Sequence, residues 1–130
     1  MIVDSSAIVA ILLAEPERQV LLEAIQQAPE VAMTAASYLE VGMVVDGRGN
    51  PVLSRQYDAL LEALGIEVVD TTAEHARVAR AAHRDFGRGS GHPARLNFGD
   101  CLSYAAAVQD GVPLLFKGDD FIHTDVTPAL

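Results

Sequence analysis

The chain has 130 residues, half of them apolar, a formal net charge of −9 and a single cysteine. A chain of this length can bury a core without disulfides or structural metal, so we predict a single domain over residues 1–130. The lone cysteine excludes an internal disulfide, no apolar run is long enough to cross a bilayer, and no basic leader opens the chain. We therefore expect a cytoplasmic protein that has no membrane partner.

Short apolar segments alternate with helical ones, a pattern typical of an α/β fold around a mostly parallel sheet. The second helix is expected to open at Pro16, and Thr71 with Glu74 has the spacing of a capping box for a later helix that ends at Gly87. A further short strand is predicted near Val126. The four main strands are predicted at residues 1–3, 31–34, 66–69 and 113–116.

Four acidic residues stand next to apolar segments, where a carboxylate is costly unless a cation neutralises it. They are Asp4, Glu40, Asp100 and Asp119. Asp4 and Asp119 follow the first and fourth predicted strands, and ligands of parallel sheets bind outside the carboxyl ends of strands. Two like charges about 4 Å apart repel by roughly 4 kcal/mol at an effective dielectric near 20, so converging acids need a counter-ion. The pattern predicts a divalent cation held by oxygen ligands.

Each acid taken alone also has a simpler interpretation, except one. Asp4 suits a helix N-cap, Asp119 suits a turn, and Asp100 suits the first turn of a helix, where the dipole favours negative charge. Glu40 is harder to explain, because its helical neighbours three and four residues away are mostly apolar. The joint interpretation of the four acids therefore depends most on Glu40.

A basic stretch interrupts the acidic composition. Between Arg77 and Arg95 there are five arginines and one acid, Asp85, so this stretch is locally positive. By charge alone it is a solvated helix face followed by a mobile, glycine-rich loop at residues 87–93. An acidic protein is an unusual partner for nucleic acid, but a basic strip beside an acidic metal cluster is what an enzyme acting on phosphodiesters needs. Lys117 would be a further cation for the substrate backbone.

Four short motifs follow one another along the chain and carry the candidate residues. They are Ile2-Val3-Asp4-Ser5-Ser6-Ala7, Ser37-Tyr38-Leu39-Glu40, Asn97-Phe98-Gly99-Asp100-Cys101 and Phe116-Lys117-Gly118-Asp119-Asp120-Phe121. In order, spacing and chain length the sequence resembles a PIN-domain ribonuclease of the VapC toxin type, from bacterial type II toxin–antitoxin pairs. The resemblance covers essentially the full length.

This resemblance implies a three-layer α/β/α domain with a central, mostly parallel sheet, and endonucleolytic cleavage of RNA that depends on Mg²⁺ or Mn²⁺. By motif position, Asp4 and Asp100 look like the principal metal ligands. Glu40 looks like an additional ligand or a carboxylate that orients water, and Asp119 looks like the fourth acid. The family likeness further implies a cognate VapB-type antitoxin and a homodimer.

One position departs from the family's pattern. Many relatives have the fourth acid three residues before the phenylalanine of the last turn, where this chain has Gly118. Asp119 is therefore our choice for the fourth acid, and Asp120 is the alternative.

Two other classes of protein remain open at this point. A phosphoacceptor domain of receiver type would use Asp4, Asp70 after the third strand and Lys117 after the fourth. Against it, the first strand is followed by one acid rather than an acidic pair, and Glu40 has no role. A catalytically inactive interaction module is the third possibility, disfavoured because all four acids are present.

Overall fold

The computed structural model describes all residues, 1–130, and has a central sheet of four parallel strands. The strands are β1 (Ile2–Val3), β2 (Val31–Thr34), β3 (Ile66–Val69) and β4 (Leu114–Leu115). The helices are α1 (Ser5–Leu12), α2 (Arg18–Gln27), α3 (Ala35–Asp46), α4 (Pro51–Leu64), α5 (Ala73–Phe86) and α6 (Phe98–Asp110), followed by a short 3-10 helix at Phe121–His123. The strand order is β3-β2-β1-β4, so β1 lies inside the sheet.

Both faces of the sheet are covered, as expected for parallel strands. Successive side chains of a strand point to opposite faces, and the two residues of β1 divide accordingly. Ile2 packs into the core under α5 and α6, whereas Val3 packs into the core under α1 to α4. Leu114 and Leu115 of β4 divide in the same way. The three-layer α/β/α architecture predicted from the sequence is confirmed.

The register brings the carboxyl ends of the inner strands to one edge. Ile2 of β1 lies between Ala32 of β2 and Leu114 of β4. The backbone N–H of Asp4 then donates to the carbonyl of Leu115, 2.8 Å away, which continues the pairing one residue beyond the strands. The residues that follow β1 and β4 are thereby held side by side.

Helix ends follow local chemistry where the sequence contains a strong signal. Gly65 and Gly111 end α4 and α6 with φ angles of 63° and 64°, the left-handed region that glycine adopts without strain. The second helix, α2, begins at Arg18 rather than at Pro16, so the prediction for its start was two residues early.

The capping box of α5 is also shifted from its predicted position. Thr72 is the N-cap, and it exchanges hydrogen bonds with His75: the Thr72 side chain accepts from the His75 backbone, and His75 Nδ1 accepts from the Thr72 N–H. Thr71 accepts instead from the backbone N–H of Ala36, 3.1 Å away at the start of α3. Glu74 forms an ion pair with Arg77. The box was assigned one residue too early, because Thr71 with Glu74 fits the usual pattern, whereas the observed box uses a histidine, His75, at its third position.

Two further predictions differ from the structure, the mobile glycine-rich loop and the short strand near Val126. Arg88 N–H donates to the carbonyl of Leu96 and Leu96 N–H to that of Phe86, both at 3.0 Å, so the glycine-rich loop is closed at its base. Val126 is buried but lies in no strand; the residues after it pair with β4 through Thr127 O and Ala129 N–H, each 2.9 Å from Leu114.

None of the helices combines the length and apolar character required to span a bilayer.

Candidate metal centre

Asp4 stands at the carboxyl end of the central strand and begins α1. Its Oδ2 accepts hydrogen bonds from the Ser6 backbone N–H at 2.9 Å and from the Ser6 hydroxyl at 2.6 Å. The same hydroxyl accepts from the backbone N–H of Lys117, 3.0 Å away, so Ser6 joins the segments that follow β1 and β4. Asp4 is only 1% exposed, and its other oxygen, Oδ1, is buried without a hydrogen-bond partner. The N-cap role predicted for Asp4 therefore uses one oxygen and leaves the second available.

Glu40 reaches the same region from α3. Its side chain lies directly against Gly99: a Cβ at position 99 would be 2.3 Å from Glu40 Oε2. A side chain cannot fit there unless the carboxylate moves, so glycine permits the close approach of α3 and α6. Glu40 Oε2 is buried and has no hydrogen-bond partner. The apolar face that carries Glu40 is exposed at Met43 and Val44, and these side chains line a surface groove with it.

Asp100 occupies the first turn of α6, in a capping box with Asn97. Asp100 Oδ2 accepts from the Asn97 backbone N–H at 2.7 Å, and the Asn97 side chain accepts from the Asp100 backbone N–H at 3.0 Å. The pKa of Asp100 is raised to about 6, mainly by burial and also by the charges of Asp4, Asp120 and Glu40, while the Asn97 hydrogen bond opposes the shift. No neighbouring cation favours the ionised form of the Asp100 carboxyl group.

Glu40 is electrostatically coupled to the same group. Burial is the main cause that raises its pKa, the Ser5 hydroxyl opposes the shift, and the charge of Asp4 adds to it. Asp4, Glu40 and Asp100 thus come from three distant parts of the chain and influence one another in one region.

The turn after β4 contains both candidates for the fourth acid. Asp119 and Asp120 are exposed there. The charge of Asp120, and not that of Asp119, raises the pKa of Asp100. The structure therefore favours Asp120, the alternative, while the role predicted for Asp119 stays a prediction.

A chain of buried hydroxyl groups holds the two acid-bearing helices together, and sequence reasoning missed it. Thr34 Oγ1 lies 2.9 Å from Ser37 Oγ, which lies 3.1 Å from Ser103 Oγ. Ser37 precedes Glu40 by one helical turn, and Ser103 follows Asp100 by one turn. The sequence does have a serine one turn from each acid. It does not show that these two serines, 66 positions apart, form a hydrogen bond, because that contact depends on the fold.

The donor chemistry of this region fits a hard divalent cation. Two buried carboxylate oxygens without partners, Asp4 Oδ1 and Glu40 Oε2, are unfavourable unless a cation or donor reaches them. No group of three or more histidine, cysteine, aspartate or glutamate side chains is arranged as a complete ligand set. Asp4 and Asp100 each direct one oxygen to a nearby backbone N–H instead, as expected for like charges without a counter-ion between them.

The receiver-type alternative is not supported by the topology. Asp70 follows β3 and Lys117 follows β4, and these strands form opposite edges of the sheet. Lys117 also forms ion pairs with Glu15 and, at 3.5 Å, with Glu17. An acceptor and a lysine that must act together are therefore held apart. The same ion pairs remove Lys117 from the cations that we expected to be free for a substrate.

The basic strip on α5 is only partly neutralised. Arg77 pairs with Glu74 at 2.6 Å and Arg84 with Asp85 at 2.8 Å. Arg80, on the same helix, makes no ion pair with an acid. It is therefore the cation of α5 that is most available to an external anion.

Comparison with known proteins gives consistent likenesses over nearly the whole chain. The PIN domain family matches residues 1–126. Ribonuclease VapC42 of Mycobacterium tuberculosis is 54% identical over 129 residues, which are 99% of this chain and 98% of that protein.

Solved structures share the fold at much lower identity. Mycobacterium tuberculosis VapC20, described as a sarcin-ricin loop cleaving toxin, superposes with a TM-score of 0.76 at 16% identity, covering 97% of this chain and 95% of that one. VapBC-5, a member of the VapBC family of toxin–antitoxin systems from the same organism, has a TM-score of 0.66 at 20% identity, covering 98% and 92%.

The raised pKa of Asp100 predicts a specific dependence of stability on pH in the absence of divalent metal. The folded carboxyl keeps its proton up to about pH 6, whereas the unfolded one loses it near pH 4, so ionisation between these values lowers the free energy of unfolding. Relative to wild type, Asp100→Asn should gain about 2–3 kcal/mol between pH 4 and pH 7. Urea unfolding in chelator measures this gain, and the exposed control Asp119→Asn should show little of it. Parallel pH curves for wild type and Asp100→Asn would contradict the prediction.

Proposed function

Because the chain belongs to the PIN-domain family and groups with VapC-type ribonucleases, we propose that it is a metal-dependent endoribonuclease, the toxin of a type II toxin–antitoxin pair. The observation that supports this most is the pair of buried carboxylate oxygens without partners, Asp4 Oδ1 and Glu40 Oε2, beside an Asp100 whose pKa is raised to about 6. Acids buried in this way need a neighbouring positive charge, and the chain itself does not supply one. Phosphodiester hydrolysis uses such a charge.

Asp4 and Asp100 would hold Mg²⁺ or Mn²⁺, with Glu40 as an additional ligand or as the carboxylate that orients water. All are oxygen donors, and hard ions prefer such a set. The bound ion would supply an activated water and stabilise the charge that develops on the phosphoryl group. Glu40 Oε2 is a suitable proton acceptor for that water, because burial raises the pKa of this carboxyl toward the working range of a general base.

Ser6 and Asn97 would act as positioning residues for the two principal ligands. Ser6 donates two hydrogen bonds to Asp4 Oδ2, and the Asn97 backbone N–H donates one to Asp100 Oδ2. A ligand whose second oxygen is already held loses less conformational freedom when the first binds metal. The hydroxyl chain through Ser37 and Ser103 fixes the spacing of the helices that carry Glu40 and Asp100.

The partners follow from the same proposal. RNA would be the substrate, and a VapB-type antitoxin would neutralise the protein, as the name of the VapBC-5 system suggests for its own chains. The net charge of −9 suits a basic antitoxin segment. Homodimerisation stays a prediction, to be measured by the mass of the protein in solution.

Loss of either principal ligand should abolish cleavage without unfolding the protein. Asp4→Asn and Asp100→Asn remove charge from the metal site but keep the size of the side chain. Cleavage of RNA should stop in both variants, and in wild type treated with chelator, and added Mg²⁺ or Mn²⁺ should restore only the wild type. Circular dichroism checks the fold, and Asp110→Asn, at the far end of α6, is the control. Activity in excess chelator would count against the proposal.

The same assay decides between the two candidates for the fourth acid. The family motif led us to Asp119, whereas the electrostatic effect on Asp100 favours Asp120. The acid that acts at the site is the one whose Asn variant lowers cleavage, and its neighbour should behave like wild type.

Gly99→Ala should displace the Glu40 carboxylate and stop its function while Glu40 itself is kept. The new Cβ would overlap Glu40 Oε2, so the carboxylate must move, and cleavage should fall by roughly 100-fold or more, as for loss of a general base. In a Glu40→Ala background the same substitution should cause little further loss. Single-turnover cleavage rates of the four proteins measure this coupling. Gly42→Ala is the matched control, because a Cβ there meets nothing closer than 4.0 Å. Equal losses from Gly99→Ala in both backgrounds would show that Glu40 is not the cause.

Arg80 should contribute to affinity for the RNA backbone, without reading sequence. In an Asp100→Asn background, Arg80→Ala should reduce the slope of log affinity against log salt by roughly 0.7, the value for one phosphate contact on a single strand. Arg77→Ala should change the slope less, because Arg77 is already paired with Glu74. Unchanged slopes in both variants would show that the basic strip is only a solvated helix face and does not contact RNA.

A further inference from the structure

A cavity of about 530 Å³ lies between α5 and α6, and none of the proposed metal ligands lines it. Phe98 lines this cavity, and Phe98 also lines the neighbouring groove of about 440 Å³ that contains Glu40 and Gly99. The ring of Phe98 is thus the boundary between the cavity and the acidic site. Whatever occupies the cavity lies next to the reacting groups.

Phe98 is an unusual residue to leave uncovered. It is 80% exposed, the highest value among the large apolar side chains of the chain. It is the first residue of α6, two positions before Asp100, so its backbone is fixed by the same capping box that holds the acid. A rigidly mounted, exposed aromatic ring beside a catalytic site is suited to contact a ligand with a flat surface.

The rest of the cavity combines an apolar floor with polar groups at its rim. Leu102 and Ala79 are buried and line it, and Arg80 and His83 are exposed and line it. Arg80 has no acidic partner within the chain. Thr71 also lines the cavity; its oxygen accepts from the Ala36 backbone N–H, which leaves the hydroxyl proton free to donate.

We propose that Phe98 and this cavity form a subsite for one unpaired base of single-stranded RNA, next to the phosphodiester that is cleaved. Phe98 stacks on the base, and Arg80 contacts an adjacent phosphate. The inference rests on the proposed ribonuclease function and extends it to the form of the substrate. A base that stacks here cannot be paired, so the substrate must be single-stranded at this nucleotide.

Charge favours RNA over a protein partner as the occupant. An aromatic ring with an unpaired arginine is the combination that recognises single-stranded nucleic acid, through the base and the phosphate together. On the other side of Phe98, Leu39, Met43 and Val44 line the groove without any cation, a composition better suited to an apolar protein segment. The two sides of the ring therefore differ in the ligand they match.

The chain has no tryptophan, so Phe98→Trp creates a fluorescent reporter at one position. This variant, combined with Asp100→Asn to prevent cleavage, is titrated with three probes of equal length. The probes are a mixed-sequence single-stranded oligoribonucleotide, the same strand in a duplex, and a ribose-phosphate strand without bases. Stacking predicts strong quenching by the first probe only.

A second pair of variants tests the energetic contribution of the ring. In the Asp100→Asn background, Phe98→Leu should weaken binding of the single-stranded probe by roughly 5- to 150-fold, the range measured for one base on one aromatic ring. Its affinity for the strand without bases should not change. Leu39→Ala, on the other side of the ring, should leave both affinities unchanged. Thermal unfolding should be unaffected, because both side chains are exposed.

The results separate this inference from the function on which it rests. Equal quenching by the strand without bases, or unchanged RNA affinity in Phe98→Leu, would overturn the subsite while wild-type cleavage still supports the ribonuclease. If Phe98→Leu instead weakens only the binding of an antitoxin, the ring belongs to a protein interface and the subsite is wrong. If no variant binds RNA and wild type does not cleave it, both proposals fail.

Discussion

The scaffold concentrates negative charge in a place with little water, and the rest of the structure must hold it there. Asp4 and Asp100 are buried, Glu40 is half-buried, and the charges of Asp4 and Glu40 raise the free energy of ionising Asp100. Such an arrangement persists only when the surrounding scaffold is stable enough to hold it. Here the scaffold is specific: one oxygen of Asp4 and one of Asp100 are bound to backbone N–H groups, and Gly99 leaves room for Glu40. The remaining oxygens face a deficit of positive charge, which a bound cation would relieve.

The fold supplies this arrangement through the position of one short strand. β1 contains two residues and lies between β2 and β4, so Asp4 is enclosed by the segments that come after these two neighbouring strands. The helix after β2 brings Glu40, and α6, which precedes β4, brings Asp100. Because α3 and α6 are joined by buried hydroxyl groups, a shift of either helix would move an acid. The chemistry is thus assembled from segments that are remote in sequence and rigid in the structure.

Features of the fold and the site were predictable from the sequence where neighbouring residues along the chain determine them. The ends of α4 and α6 were predictable from Gly65 and Gly111, since a left-handed residue stops a helix whatever surrounds it. The parallel sheet and the covering of both its faces were predictable from the alternating pattern and the family likeness. The cap at Thr72 was missed, because Thr71 with Glu74 matches the usual capping-box pattern, whereas the observed box uses His75 and Thr71 contacts α3 instead. The hydroxyl chain and the ion pairs of Lys117 were out of reach because their partners are far apart in sequence.

The pairing of the segment after Val126 with β4 has a consequence for the outer surface of the molecule. A strand at the border of a sheet exposes unpaired backbone groups, which can recruit a strand from another molecule. Leu114 already bonds to Thr127 and Ala129, so the β4 border is closed. Only β3 remains open, and there Glu67 places a charge in the middle of the strand beside the half-exposed Val68. This protein thus protects one border of its sheet with its own chain and the other with electrostatic repulsion, which disfavours growth of the sheet from either side.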